Sequence, residues 1–439
     1  MKVYRMIPKI TFFFTLVALS MISQKSIAAK KTPANVLVAA GINQTTGLPL
    51  IAASSDNGST WRVRFTDAPS VPGGAFRAVS CTGAGSDMIC AAVGSALAVS
   101  TNSGNSWISK SVANLPSGTQ IPFVSVSCTG SGSSAVCVAA GAGNLVVSTD
   151  GGAIWSNVVL QGISSSANFS KVSCTGVGVS AACVAVGSSG DSSSTYQPIL
   201  AESTDGAVTW NVVSSIPNLP ANGNLYDVSC TGGSANPLCV AVGTVGIITS
   251  LDGGSTWEVS DSSPATSVSC TGVAANATCA AINGNQSTNV LVSQDEGSTW
   301  QGKPISNLPT PSPVGDFGWE GISCSSSSTA DVTCVVVGNY LVNNGLDGDP
   351  LVAVSIDGGN TWATKAISNP PQDGNFNGVF CTDLVPNTVC IAVGNGNALE
   401  SFRPILADSL DGGNTWTIKG IANLPAQTQG GFLSSSSTS

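Results

Sequence analysis

The octet "SLDGGSTW" at 250–257 returns as "SIDGGNTW" at 355–362 and "SLDGGNTW" at 409–416. Looser copies stand at 54–61, 100–107, 148–155, 203–210 and 293–300, which makes eight. A repeat spaced by several tens of residues constrains the fold more than any other feature. Each copy marks one supersecondary unit that buries its apolar face only against its neighbours. The third position reads Asp56, Asn102, Asp150, Asp205, Asp252, Asp295, Asp357 and Asp411, and Trp closes every copy. A strand-like apolar run such as "PLIAAS" precedes each box, and a short one such as "WRVRF" follows. The box is therefore predicted to be a hairpin turn. Its carboxylate, or the Asn amide, accepts turn N–H groups. Gly at the fifth position supplies a positive φ. Ala207 replaces that Gly once, which predicts a distorted turn there. The Trp ring is expected to pack on a neighbouring sheet. These aspartates are read as structural, not catalytic.

The fourteen cysteines are spaced just as regularly. They fall as Cys81 with Cys90, Cys128 with Cys137, Cys174 with Cys183, Cys230 with Cys239, Cys270 with Cys279, Cys324 with Cys334 and Cys381 with Cys390. The surrounding text, "VSCTGVGVSAACVAVG", places each pair where one short strand ends and the next begins. Opposed residues of two antiparallel strands come within disulfide reach, so seven local hairpin disulfides are expected. Zinc sites favour a tighter C-x2-C spacing, and no metal is expected.

Charged residues make up 9 % of the 439, and there is no histidine. Abundant Gly, Ser, Thr and Asn suit short strands and tight turns. Residues 1–28 carry a basic start (Lys2, Arg5, Lys9), an apolar run from Ile10 to Ile22 and small residues at 26–28. That is a secretory signal pattern, too short in its apolar part to span a bilayer comfortably. Its removal takes four of 15 basic residues and no acidic one, leaving 11 against 24, or −13. Such a surface disfavours nucleic acid and anionic membranes. The expected organisation is signal peptide 1–28, linker 29–33, one domain over 34–436 and a Ser/Thr tail 437–439. The expected location is periplasmic or secreted, where disulfides persist.

The motif S-x-D-x-G-x-T-W resembles the Asp-box, or BNR repeat, of sialidases, xyloglucan-cleaving hydrolases, photosystem II assembly factors and sortilin-type receptors. The resemblance implies a β-propeller with the box at the turn between the third and fourth strands of each blade. Four strands can be written per unit: "xxVSC", "CVAVG", "PILAxS" and the run after Trp. Strands two to four occur eight times, and the Cys-bearing first strand seven times. The N-terminal unit starts at 34–41 without Cys, and Phe432 to Ser436 resemble the missing first strand with Ser in place of Cys. The expected fold is thus all-β: an eight-bladed propeller of four-stranded antiparallel blades, closed by the C-terminal strand pairing with the N-terminal blade. A seven-bladed ring with a frayed N-terminus is the alternative.

The loops joining strand four to strand one, and strand two to strand three, vary most and share one end of such a ring. Variable loops on a rigid scaffold carry function. "LDGDP" with Asp347 and Asp349 falls short of a calcium ligand set and reads as a solvated loop. Four residues before each Cys the side chain changes: Arg77, Val124, Ser170, Tyr226, Thr266, Glu320 and Asn377. Two residues before it, Val or Ile is constant, so a period of two puts both positions on one face. Arg77, Tyr226, Glu320 and Asn377, with Arg403 on a rim loop, are the candidate ligand residues. Sialidase chemistry needs a Tyr–Glu nucleophile, an Asp acid/base and an arginine clamp. Resemblance maps Tyr226, Glu320, Asp227 and Arg77 onto these roles, but the clamp does not assemble from the four mature arginines. Without His or free Cys, Ser–His and Cys–His schemes are excluded. The sequence therefore reads as a monomeric, cofactor-free, non-catalytic binder or scaffold for a glycan or an extracytoplasmic protein. A carboxylate-dependent glycoside hydrolase is the alternative.

Overall fold

In a computed structural model the chain divides into Met1–Pro33 and one compact unit, Ala34–Ser439. The described residues run from 36 to 437, apart from 65–73, 116–121, 165, 191–195, 234–236, 285–286, 310–316, 327–331, 343–346, 372, 383–387, 398–401 and 426–427. The expected signal segment 1–28 and linker 29–33 lie outside them. No helix of the described residues is long and apolar enough to cross a membrane.

The described chain is all-β, in mainly antiparallel sheets built from groups of strands that are close together in the chain. One sheet takes Leu225–Thr231, Leu238–Gly243, Gly246–Ser250 and Glu258–Asp261 in succession. Another holds eight strands, two such groups joined by a short parallel pairing of Ile305 with Trp362. All seven expected cystines form: Cys81 with Cys90, Cys128 with Cys137, Cys174 with Cys183, Cys230 with Cys239, Cys270 with Cys279, Cys324 with Cys334 and Cys381 with Cys390. Each joins facing residues of the first two strands of a sheet, as Cys230 faces Cys239. The N-terminal sheet is assembled from both chain ends. Leu37–Asn43 pairs antiparallel with Gly430–Ser437, and Leu37 faces Ser437. The C-terminal strand thus runs one residue past the expected 436, and Ser437 takes the cysteine position.

The boxes fold as the spacing predicts. In the copy at 250–257, the Asp252 carboxylate accepts the Ser250 hydroxyl (2.8 Å), the Thr256 N–H (2.9 Å) and the Thr256 hydroxyl (2.7 Å). The Ser250 hydroxyl in turn accepts the Gly254 N–H at 2.8 Å. Asn102 serves in place of Asp because its Oδ1 still accepts the Ser106 N–H at 2.9 Å, while its amide donates to the Ser106 hydroxyl at 2.7 Å. The turn at Ala207 departs from the others as expected, since 204–209 lacks the hydrogen-bonded turn that the other seven boxes form at their fourth and fifth positions. Ala207 takes φ 65° and keeps its N–H on the Ser203 hydroxyl at 3.0 Å. The turn network tolerates the local penalty of a left-handed non-glycine residue. The preceding box position is left-handed too, with φ 60° at Glu296 in a slot that is Gly in five boxes. Glu296→Gly is expected to stabilise the protein by about 1 kcal/mol through relief of that conformation, read as a higher urea midpoint. An unchanged or lower midpoint would count against it.

Seven box carboxyls are shifted in one direction. Burial alone pushes each upward, and the hydrogen bonds of the turn outweigh it, holding each below its ordinary value of 3.8. A depressed native value contributes stability above the ordinary one, and that contribution is lost as pH falls through the native values. Thermal midpoints are therefore expected to hold from neutral pH down to about 5 and to drop steeply below about 4. A flat profile through that window would contradict the role given to the boxes.

The "VSC" text has a function that its composition hides. The Ser at this position accepts the Cys N–H of the next sheet's first strand. The pairs run from Ser436 to Cys81 (3.0 Å), Ser80 to Cys128, Ser127 to Cys174, Ser173 to Cys230, Ser229 to Cys270, Ser269 to Cys324 (each 2.9 Å), and Ser323 to Cys381 (3.0 Å). Phe380 holds the equivalent position before Cys381, and its side chain offers no acceptor. Apolar clusters fill the spaces between sheets, each drawn from two neighbours. Trp416, for example, packs with Val335, Val337, Val352, Val354 and Phe376.

Candidate functional site

The first strands of successive sheets surround a cavity of about 470 Å³. Its wall includes Arg77, Lys171, Asp227, Glu320, Asn377 and Ser434, each from a different strand. Contacts between these strands follow chain order, and Gly430–Ser437 touches both Gly374–Cys381 and Phe76–Thr82.

The variable position four residues before the cysteine is a β-bulge. Pairing skips Arg77, Val124, Ser170, Tyr226, Glu320 and Asn377, and likewise Leu433 in the C-terminal strand. The expected alternation with the constant Val therefore breaks there, because two residues oppose one partner. The partner is the Gly that ends "AVG". A Cβ on Gly94 would collide with the Ala75 carbonyl, and one on Gly243 with that of Asn224. That repeated Gly was the available signal for the bulge, and alternation alone passed over it. The bulged side chains of the wall differ in exposure: Arg77 and Glu320 are exposed and Asn377 is half-buried.

The predicted residues separate on this geometry. Arg77, Glu320 and Asn377 share the cavity wall. Asn377 also donates its side-chain N–H to the Phe432 carbonyl at 2.7 Å. Tyr226 is 38 % exposed, lies outside the lining, and its hydroxyl accepts the Asn224 amide at 3.5 Å. Arg403 is exposed on Phe402–Ser409, opposite Gly396, and is not in the wall. Asp349 lies on Asp347–Ser355, opposite Tyr340. No group of three or more metal-ligating side chains occurs among the described residues.

The cystines meet the cavity only through first-strand cysteines. Cys270, Cys324 and Cys381, on first strands, reach the wall. The second-strand partners Cys90, Cys137, Cys183, Cys239, Cys279, Cys334 and Cys390 are wholly buried and none lines it.

Asp227 is buried and fully engaged. Its carboxylate accepts the Ser267 hydroxyl (2.7 Å), the Val268 N–H (3.0 Å) and its neighbour Val228 N–H (2.9 Å). Lys171, which sequence reasoning passed over, approaches the same carboxylate at 3.4 Å. Asp227 thus adds a carboxylate stitch between two sheets. Lys171–Asp227 and Lys419–Asp408 are the ion pairs among the described residues, so Arg77 enters none of them.

No family model matches the chain, and no curated protein sequence does. Several solved structures are similar. One described as YCF48 bound to D1 peptide is 17 % identical, covers 69 % of this chain and 85 % of its own, with a TM-score of 0.40. YCF48 from Cyanidioschyzon merolae is 15 % identical, covers 72 % and 88 %, and scores 0.42. The GH74 enzyme of Niastella koreensis is 15 % identical, covers 86 % and 62 %, and scores 0.38.

Proposed function

We propose that this chain is an exported, eight-bladed Asp-box propeller that binds a glycan or a protein at its loop-rich end without catalysing a reaction. Eight four-stranded groups, a shared cavity walled by their first strands, and the pairing of Leu37–Asn43 with Gly430–Ser437 support the closed ring. Seven cystines suit an oxidising compartment outside the cytoplasm.

One observation carries the binding reading. Arg77 stands exposed on a bulge at the cavity wall, outside both ion pairs, in a protein whose overall charge is negative. Unlike Lys171, which approaches Asp227, it is a cation of this wall left to meet an acidic group of a partner, with Glu320 and Asn377 as the further polar contacts. The hydrolase reading has less support, because Asp227, the carboxylate proposed to work with Glu320, already holds two neighbouring strands together.

A glycan array and a panel of acidic peptides, probed with the mature protein and with Arg77→Ala, test this. A ligand should emerge whose affinity falls about tenfold or more in the variant, as expected for loss of one charge-assisted contact. Parallel product analysis should find no released sugar. Sugar release that disappears in Glu320→Gln would establish the hydrolase instead.

A further inference from the structure

The junction between the N-terminal sheet and the sheet before it differs from the other junctions. The first two strands of the N-terminal sheet carry no cystine, since Leu37 faces Ser437. Phe380 stands where the first strands of the other sheets place the stitching serine. Trp61 is the one box Trp whose indole N–H has no partner; Trp416 and its counterparts donate to the carbonyl at the fifth box position. Asp408 is buried, and only one of its oxygens is held, by Lys419 at 3.2 Å. The other has no hydrogen-bond partner and abuts Gly58, where an added Cβ would lie 3.1 Å from it. Ser435 and Asn395 hold further orphaned buried oxygens in these two sheets. An unpaired buried polar atom destabilises the interface around it. What remains across the junction includes the Asn377 bond to Phe432 and a short parallel pairing of Trp61 with Ile421.

We propose that this junction is the release point of the ring: Gly430–Ser437 leaves Leu37–Asn43 before any other first strand leaves its sheet. The inference rests on the ring reading given above. Release opens one wall of the cavity, because Leu433 and Ser434 belong to it. It also frees Asn377, so that opening and the rim site share a residue. A chain whose other units are cross-linked one by one concentrates its local opening in the unit that is not.

Native-state hydrogen exchange on the mature protein reads this directly. Amides of 37–43 and 430–437 should exchange about tenfold or more faster than those of the seven cystine-linked strand pairs. Equal protection in all eight overturns the proposal. The Leu37→Cys/Ser437→Cys double variant supplies the second measurement. Thiol counting should show an eighth cystine, and exchange in both segments should slow to the level of the others. If the cystine forms and exchange was never fast, the release point falls and the ring stands. If the folded variant keeps two free thiols, the pairing of the chain ends falls, and the ring reading with it. Should the variant not fold, the exchange pattern of the unaltered protein still decides.

Discussion

Full reduction and alkylation of the seven cystines is expected to unfold this protein under otherwise native conditions. Each bridge spans 9 or 10 residues. Closing a loop of that size removes about 2.7 kcal/mol of unfolded-chain entropy in the simplest model, so all seven together contribute about 19 kcal/mol. Typical folded domains have a net stability of about 5–15 kcal/mol. Far-UV circular dichroism during a dithiothreitol titration reads the result. A reduced, alkylated protein that still melts cooperatively within a few degrees of the oxidised one would overturn the assignment of stability to the bridges.

The second large effect is expected at Trp416. Its ring is 1 % exposed and packs with Val335, Val337, Val352 and Val354 of the adjacent sheet and with Phe376 of its own. Its indole N–H donates to the Gly413 carbonyl at 2.9 Å. Trp416→Ala removes the ring, leaves a cavity between two sheets and orphans a carbonyl. The expected loss is about 3–5 kcal/mol, seen as a lower urea midpoint. Trp300, half-buried, provides the comparison: Trp300→Ala should be the milder change. Equal effects at the two sites would mean that burial between sheets is not what the box Trp contributes.

The repeat made most of the architecture legible. An Asp or Asn at the third position of each box and a Trp at its end state a turn and its packing in local terms. Cysteines nine or ten apart can be read as bridges because both partners belong to one hairpin. The serine of "VSC" and the glycine of "AVG" were present in the same text, but what they do is not local. The serine meets a backbone N–H on the next sheet, and the glycine makes room for a carbonyl across a bulge. For the site this mattered more. Arg77, Glu320 and Asn377 could be picked out by their variability among copies. Nothing in their spacing revealed the bulge on which they sit, or that Tyr226 would stand apart from the cavity wall. Nor did it show that Asp227 would be occupied by Ser267 and Val268.

Sequence by itself determined the hairpins, the turn chemistry and the pairing of the cysteines, because each depends on residues within about ten positions of one another and on backbone geometry common to all proteins. Tertiary structure alone decided which side chains meet in the cavity and which carboxylate is consumed by structure. Those outcomes depend on atoms from different sheets arriving at the same place, and a linear spacing carries no distance between them.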